Sequence, residues 1–113
     1  METKINRKVK CLENLISNIG LKKFPLLKII LFGSFVSGDF HERSDLDLCF
    51  VFDEDKEPTI REKIEIESYF DAAVGAEMDV DFLYATNERV IEGDRVFKNI
   101  REKGVVLWKH TGE

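Results

Sequence analysis

The chain has 113 residues, enough to bury one hydrophobic core and too few for two ordinary domains, so residues 1–113 read as a single domain. Its 17 Lys plus Arg against 22 Asp plus Glu leave a formal charge of −5, which excludes a broadly basic surface; direct nucleic-acid binding is not expected, although an acidic protein can still hold a phosphate compound through metal ions. No stretch reaches the ~20 apolar residues of a membrane span, so the chain reads as cytoplasmic with no membrane partner.

In chain order, Ile5, Val9, Leu12, Ile16 and Ile19 recur at steps of three and four, which predicts an amphipathic helix ended by Gly20. The basic residues Lys4, Arg7, Lys8 and Lys10 read as its solvated face. LLKIILF at 26–32, bounded by Pro25 and Gly33, predicts a buried strand, and LDLCFVF at 46–52 repeats the signature. FDEDKEP at 52–58 is a charged loop. Thr59 and Glu62 form a capping-box pattern for a helix that ends near Gly75 and is expected to bury Ile60, Ile64 and Phe70.

MDVDFLY at 78–84 alternates apolar and acidic residues, as a strand with one face in the core does. Thr86 caps a short helix around Glu88 to Ile91. Val96, Phe97 and Ile100 mark a further helix stopped by Gly104, and VVLW at 105–108 is a last short strand or a packed tail, with Trp108 against the core. The order predicts an α/β (α+β) domain with a small mixed sheet flanked by helices. Cys11 and Cys49 lack metal-ligand spacing and read as buried reduced thiols. His41 reads as a solvated loop residue, and no Ser-His-Asp or Cys-His arrangement is present.

The chemistry concentrates in GSFVSGDFHERSDLDL, residues 33–48. Residues two apart in a strand share a face, so Asp45 and Asp47 project together with α-carbons roughly 6–7 Å apart. Hard carboxylate oxygens at that spacing suit Mg2+, with Mn2+ as the alternative. Two such ions about 3.5–4 Å apart activate an attacking oxygen and stabilise a leaving pyrophosphate. A third acid comes from MDVDFLY, either Asp79 or Asp81. Asp81 is the choice because Val80 and Phe82 anchor the strand around it, and a carboxylate there can also accept a proton from an incoming hydroxyl. Gly33 lets backbone approach a phosphate, while Ser34 offers a hydroxyl and either caps a helical turn or receives the anion.

Gly33-Ser34, ten residues, Asp45-Leu46-Asp47 and a later acidic strand together resemble the signature of the DNA polymerase β-like nucleotidyltransferase superfamily. At this length the chain is most similar to the minimal nucleotidyltransferase (MNT) domains paired with HEPN proteins in toxin–antitoxin modules, and the similarity covers nearly the whole chain. The resemblance implies a polymerase β-like fold and transfer of a nucleoside monophosphate, AMP from ATP above all, to a hydroxyl on a HEPN-family toxin. It implies that Asp45, Asp47 and Asp81 are the catalytic, metal-binding carboxylates of a two-ion Mg2+ site, and that Gly33 and Ser34 hold phosphates. Many relatives carry a basic residue where this chain has Phe35, Val36 and Ser37. Two alternatives therefore stay open: a nucleotidyltransferase-fold module that neutralises its partner by binding, and transfer to a small molecule.

Overall fold

A computed structural model describes Lys10, Ile16 and residues 25–33, 46–74 and 80–110. Ser34, Asp45, Asp79, Cys11, His41 and most of the expected N-terminal helix lie outside the described residues. Of that helix, Lys10 is helical and exposed, whereas Ile16 is helical and buried, as its place on the apolar stripe requires.

Four strands form one mixed sheet in the order β3-β2-β1-β4. Strand β1 (Leu26–Phe32) and strand β2 (Leu46–Phe52) are the two apolar runs, and each coincides with its sequence expectation. They pair antiparallel, with Ile30 opposite Cys49 and Phe32 opposite Asp47. Helix α1 (Ile60–Val74) carries the chain across to β3 (Val80–Thr86), which pairs parallel with β2. Two short helices follow, α2 (Asn87–Glu92) and α3 (Val96–Lys103), before β4 (Val105–Lys109) pairs antiparallel with β1. The tail is therefore a strand, and Trp108 packs partly buried on the core as expected.

Alternation along the strands splits the core into two layers. Leu46, Leu48, Phe50 and Phe52 of β2 join Ile29 and Leu31 of β1 and Ile16 on one face, where Ile66 and Phe70 of α1 cover them. Phe50 is the hub: its ring meets Phe70 edge-on at 5.6 Å and stacks on Phe82 at 5.7 Å. Each such pair contributes about 0.5–1.5 kcal/mol beyond simple area burial. Cys49 and Val51 point the other way and meet Ile30, Phe32, Ala85, Val90, Phe97 and Ile100, so α2 and α3 cover this second face.

The helix ends follow from local chemistry. Thr59 and Glu62 make the reciprocal capping box, with the Glu62 amide donating to Thr59 Oγ1 at 3.1 Å and the Thr59 amide donating to Glu62 Oε1 at 2.9 Å. Thr86 Oγ1 accepts from the Arg89 amide at the start of α2. Arg101 then donates to the carbonyls of Val90 and Gly93, fastening α3 to the end of α2.

One expectation is corrected. Ile60 and Ile64 do not enter the core: they are 78% and 61% exposed. Among the described side chains of α1, the buried ones are Ile66 and Phe70, four apart on another stripe of the helix. Phe70 is drawn against Phe50 and Phe82, and a helix that presents that stripe turns Ile60 and Ile64 towards water.

Candidate active site

Among the described residues, α2 and α3 cover the second face of the sheet only in part. Cys49, Val51, Leu83 and Ala85 lie beneath α2 and α3, but one step towards the starts of β2 and β3 the same face carries Asp47 and Asp81. These two are direct register partners across the parallel pair. Neighbouring strands run about 4.8 Å apart, so two carboxylates stand side by side on one face. Asp81 is exposed and Asp47 half-buried. Their backbones are held from behind, because Leu46 and Leu48 are buried on the opposite face and Val80 and Phe82 pack there too.

Like charges directly opposite each other in a sheet destabilise it, by roughly 0.2–1 kcal/mol at a surface position. A divalent cation between them reverses that sign. The donor set is all oxygen and fits a hard cation such as Mg2+, which binds through one or two carboxylates and keeps other positions for water and phosphate. Among the described residues no three His, Cys, Asp or Glu side chains cluster, so the described part of the site is this pair. Asp45 and Ser34 lie outside the described residues.

Gly33 closes the third side. Strand β1 ends at Phe32, the register partner of Asp47, and Gly33 then turns with φ of 82°, the left-handed region that glycine enters without steric cost. A β-carbon built on Gly33 would overlap Asp47 Oδ2 and lie 3.0 Å from Asp47 Cγ. Glycine is needed here for two reasons: the backbone angle, and the room it leaves for the Asp47 carboxylate. The second reason is invisible in the sequence, where Gly33 and Asp47 are separated by a long loop.

Two titratable groups, the buried Cys49 and the half-buried Tyr84, stand apart from this constellation. Cys49, two residues beyond Asp47, has its thiol pushed up to about 12 by burial, offset in part by the Lys28 charge, and is free. Burial pushes the Tyr84 hydroxyl above the usual phenol range, helped by its hydrogen bond to Glu67 at 2.8 Å and by that carboxylate's charge. Sequence reasoning missed Tyr84 and its neighbours Lys63 and Arg89, which share a concavity at the other end of β3. No local motif links three residues drawn from a strand and two helices.

The mixed sheet, its helical cover and a carboxylate pair at the starts of β2 and β3 define an α+β fold of the nucleotidyltransferase type. The profile of the nucleotidyltransferase domain family matches residues 14–107, and the chain belongs to that family. The resemblance in the motifs is thereby borne out, and the chain is a nucleotidyltransferase by class. It is 31% identical over 80 residues to a Methanocaldococcus jannaschii protein named a putative protein adenylyltransferase, covering 71% of this chain and 75% of that one. It is 36% identical over 59 residues to the protein adenylyltransferase MntA of Thermococcus cleftensis, covering 52% of this chain and 58% of the relative.

Solved structures give the same fold. A Sulfolobus solfataricus crystal structure, of a putative nucleotidyltransferase, superposes with a TM-score of 0.61 at 24% identity, over 94% of this chain and 84% of that one. A toxin–antitoxin crystal structure with AMP-PNP superposes with a TM-score of 0.55 at 22% identity, over 96% and 76%. Among the described residues no helix is long and apolar enough to cross a membrane.

Proposed function

We propose that this protein transfers AMP from ATP to a hydroxyl of a partner protein, and that the partner is a HEPN-family toxin for which it is the antitoxin. The observation that carries the reading is the register pairing of Asp47 with Asp81 beside the left-handed turn at Gly33. The names of the two relatives, one a protein adenylyltransferase and the other a putative one, support the reaction, and the toxin–antitoxin structure with AMP-PNP supports the donor class and the partner.

In this reading Asp45, Asp47 and Asp81 hold Mg2+, or Mn2+ in its place, which when bound with the nucleotide supplies charge stabilisation for the phosphates and the attacking oxygen. Gly33 and Ser34 receive the β and γ phosphates, where the absence of a side chain at Gly33 permits close backbone approach. The acceptor hydroxyl oxygen attacks the α-phosphorus, its bond to the bridging oxygen breaks, and pyrophosphate leaves with the electron pair. Asp81, the exposed carboxylate of the pair, accepts the hydroxyl proton, directly or through one water. That exposure leaves the carboxylate accessible to a hydroxyl carried by a partner protein.

A second reading, neutralisation of the partner by binding alone, is favoured by one observation: Phe35, Val36 and Ser37 supply no cation for a triphosphate. Incubation with α-labelled ATP, Mg2+ and the HEPN partner separates the two. Label on the partner that disappears in Asp45→Asn plus Asp47→Asn supports transfer. An unlabelled partner, under conditions where the complex forms, overturns transfer to that partner.

A further inference from the structure

The end of the sheet away from the aspartates holds a separate cavity of about 220 Å³, lined by Glu57, Lys63, Tyr84, Thr86 and Arg89 among others. Two cations meet one carboxylate there, in a protein whose overall charge is −5. Their placement is unusual in a specific way. Lys63 has Glu67 four residues on, the spacing at which helical ion pairs form, yet Glu67 instead accepts the Tyr84 hydroxyl. The Lys63 ammonium lies over the Tyr84 ring, 5.2 Å from its centre.

Arg89 repeats the arrangement. Glu92 stands three residues on, also within ion-pair spacing, but the Arg89 guanidinium lies over the Phe97 ring at 5.6 Å. Among the described residues neither cation is paired with a carboxylate. An aromatic face steadies a cation without neutralising it, so both keep their charge for a third party. The volume lies below the roughly 300–1,000 Å³ of sites for drug-sized ligands, which excludes a whole nucleotide and suits an ion of a few heavy atoms. Glu57 on the same wall opposes an anion, but Lys63 and Arg89 outweigh it and leave the lining net positive for a compact anionic guest.

We propose that this cavity binds a small phosphate-class anion, inorganic phosphate or pyrophosphate, between Lys63 and Arg89, independently of the carboxylate site at the opposite end of β3. The probe is sodium pyrophosphate, titrated into the full chain in divalent-free buffer at constant ionic strength and followed by amide chemical shifts. Saturable shifts are expected at Lys63 and from Tyr84 to Arg89. Lys63→Gln and Arg89→Gln should each weaken binding by roughly tenfold or more, the cost of one charge-assisted contact. Lys63→Arg and Arg89→Lys, which keep the charge, should retain it, and Asp81→Asn should leave it unchanged. Linear, non-saturating shifts would overturn the proposal. So would shifts centred on Gly33, binding that survives in the Lys63→Gln, Arg89→Gln double variant, or loss of binding in Asp81→Asn.

Discussion

Asp47 and Asp81 are direct register partners on adjacent parallel strands, and their carboxylates share one face of the sheet. Divalent binding should therefore act on the fold as well as on the reaction. Mg2+ at ten times its dissociation constant is expected to add about 1.4 kcal/mol, which raises the melting midpoint of a domain this size by several degrees. Asp81→Asn should abolish that rise while lowering partner labelling by about 10²–10⁴-fold, the range of a lost general base. Thermal melts with and without Mg2+ check the first half; an Asp81→Asn protein that still gains stability from Mg2+ removes Asp81 from the metal site.

Gly33→Ala is the sharpest test of the turn. Its φ of 82° penalises any side chain, and the new methyl group must displace the Asp47 carboxylate. A loss of about 1–3 kcal/mol is expected in urea unfolding, together with loss of transfer. Wild-type activity in this variant would show that Asp47 is free to move without consequence.

The corrected face of α1 yields a contrast within one helix. Phe70→Ala removes the edge-on partner of both Phe50 and Phe82 and should cost about 3–5 kcal/mol. Ile64→Ala, at an exposed position, should fall within about 0.5 kcal/mol of wild type. Equal effects from the two would mean that α1 presents a different stripe to the sheet in solution.

Cys49 sets an alkaline limit. Its folded-state value of about 12 lies above the ordinary 9.0, so the native state keeps a proton that the unfolded chain gives up. Stability from this group is full below pH 9.0 and declines as the pH rises from there towards 12. Cys49→Ala should flatten that part of the stability curve, at the expense of a small cavity. In the native protein at neutral pH, mass mapping after iodoacetamide treatment should find the Cys49 peptide unmodified; rapid modification would place the thiol at the surface.

Elements were legible where the sequence leaves a single solution. Leu26–Phe32 and Leu46–Phe52 are apolar runs with defined boundaries, and Thr59 with Glu62 marks a helix start through side chains that reach only their own backbone. Helix α1 offered no such uniqueness. Its apolar residues occupy more than one stripe, and the choice of Ile66 and Phe70 over Ile60 and Ile64 was made by the rings of Phe50 and Phe82 on the sheet. Among the described residues strand β3 covers Val80–Thr86 and runs past the expected end at Tyr84 to the pair of Thr86 with Phe52. The acidic motif was readable as chemistry, but the partnership of Asp47 with Asp81 was not. A parallel pair joined through a helix has no tight turn to fix its register, so that alignment is set only when β2 and β3 meet.

The strand order also bears on how the chain is made. Strand β1 lies inside the sheet, yet its second neighbour, β4, is separated from it along the chain by β2, α1, β3, α2 and α3. Until β4 has left the ribosome, one side of β1 is an open hydrogen-bonding edge bearing Ile29 and Ile30, available to any other nascent strand. A chain interrupted before Val105 would carry that exposed edge permanently, so truncation there converts an interior strand into a nucleus for aggregation.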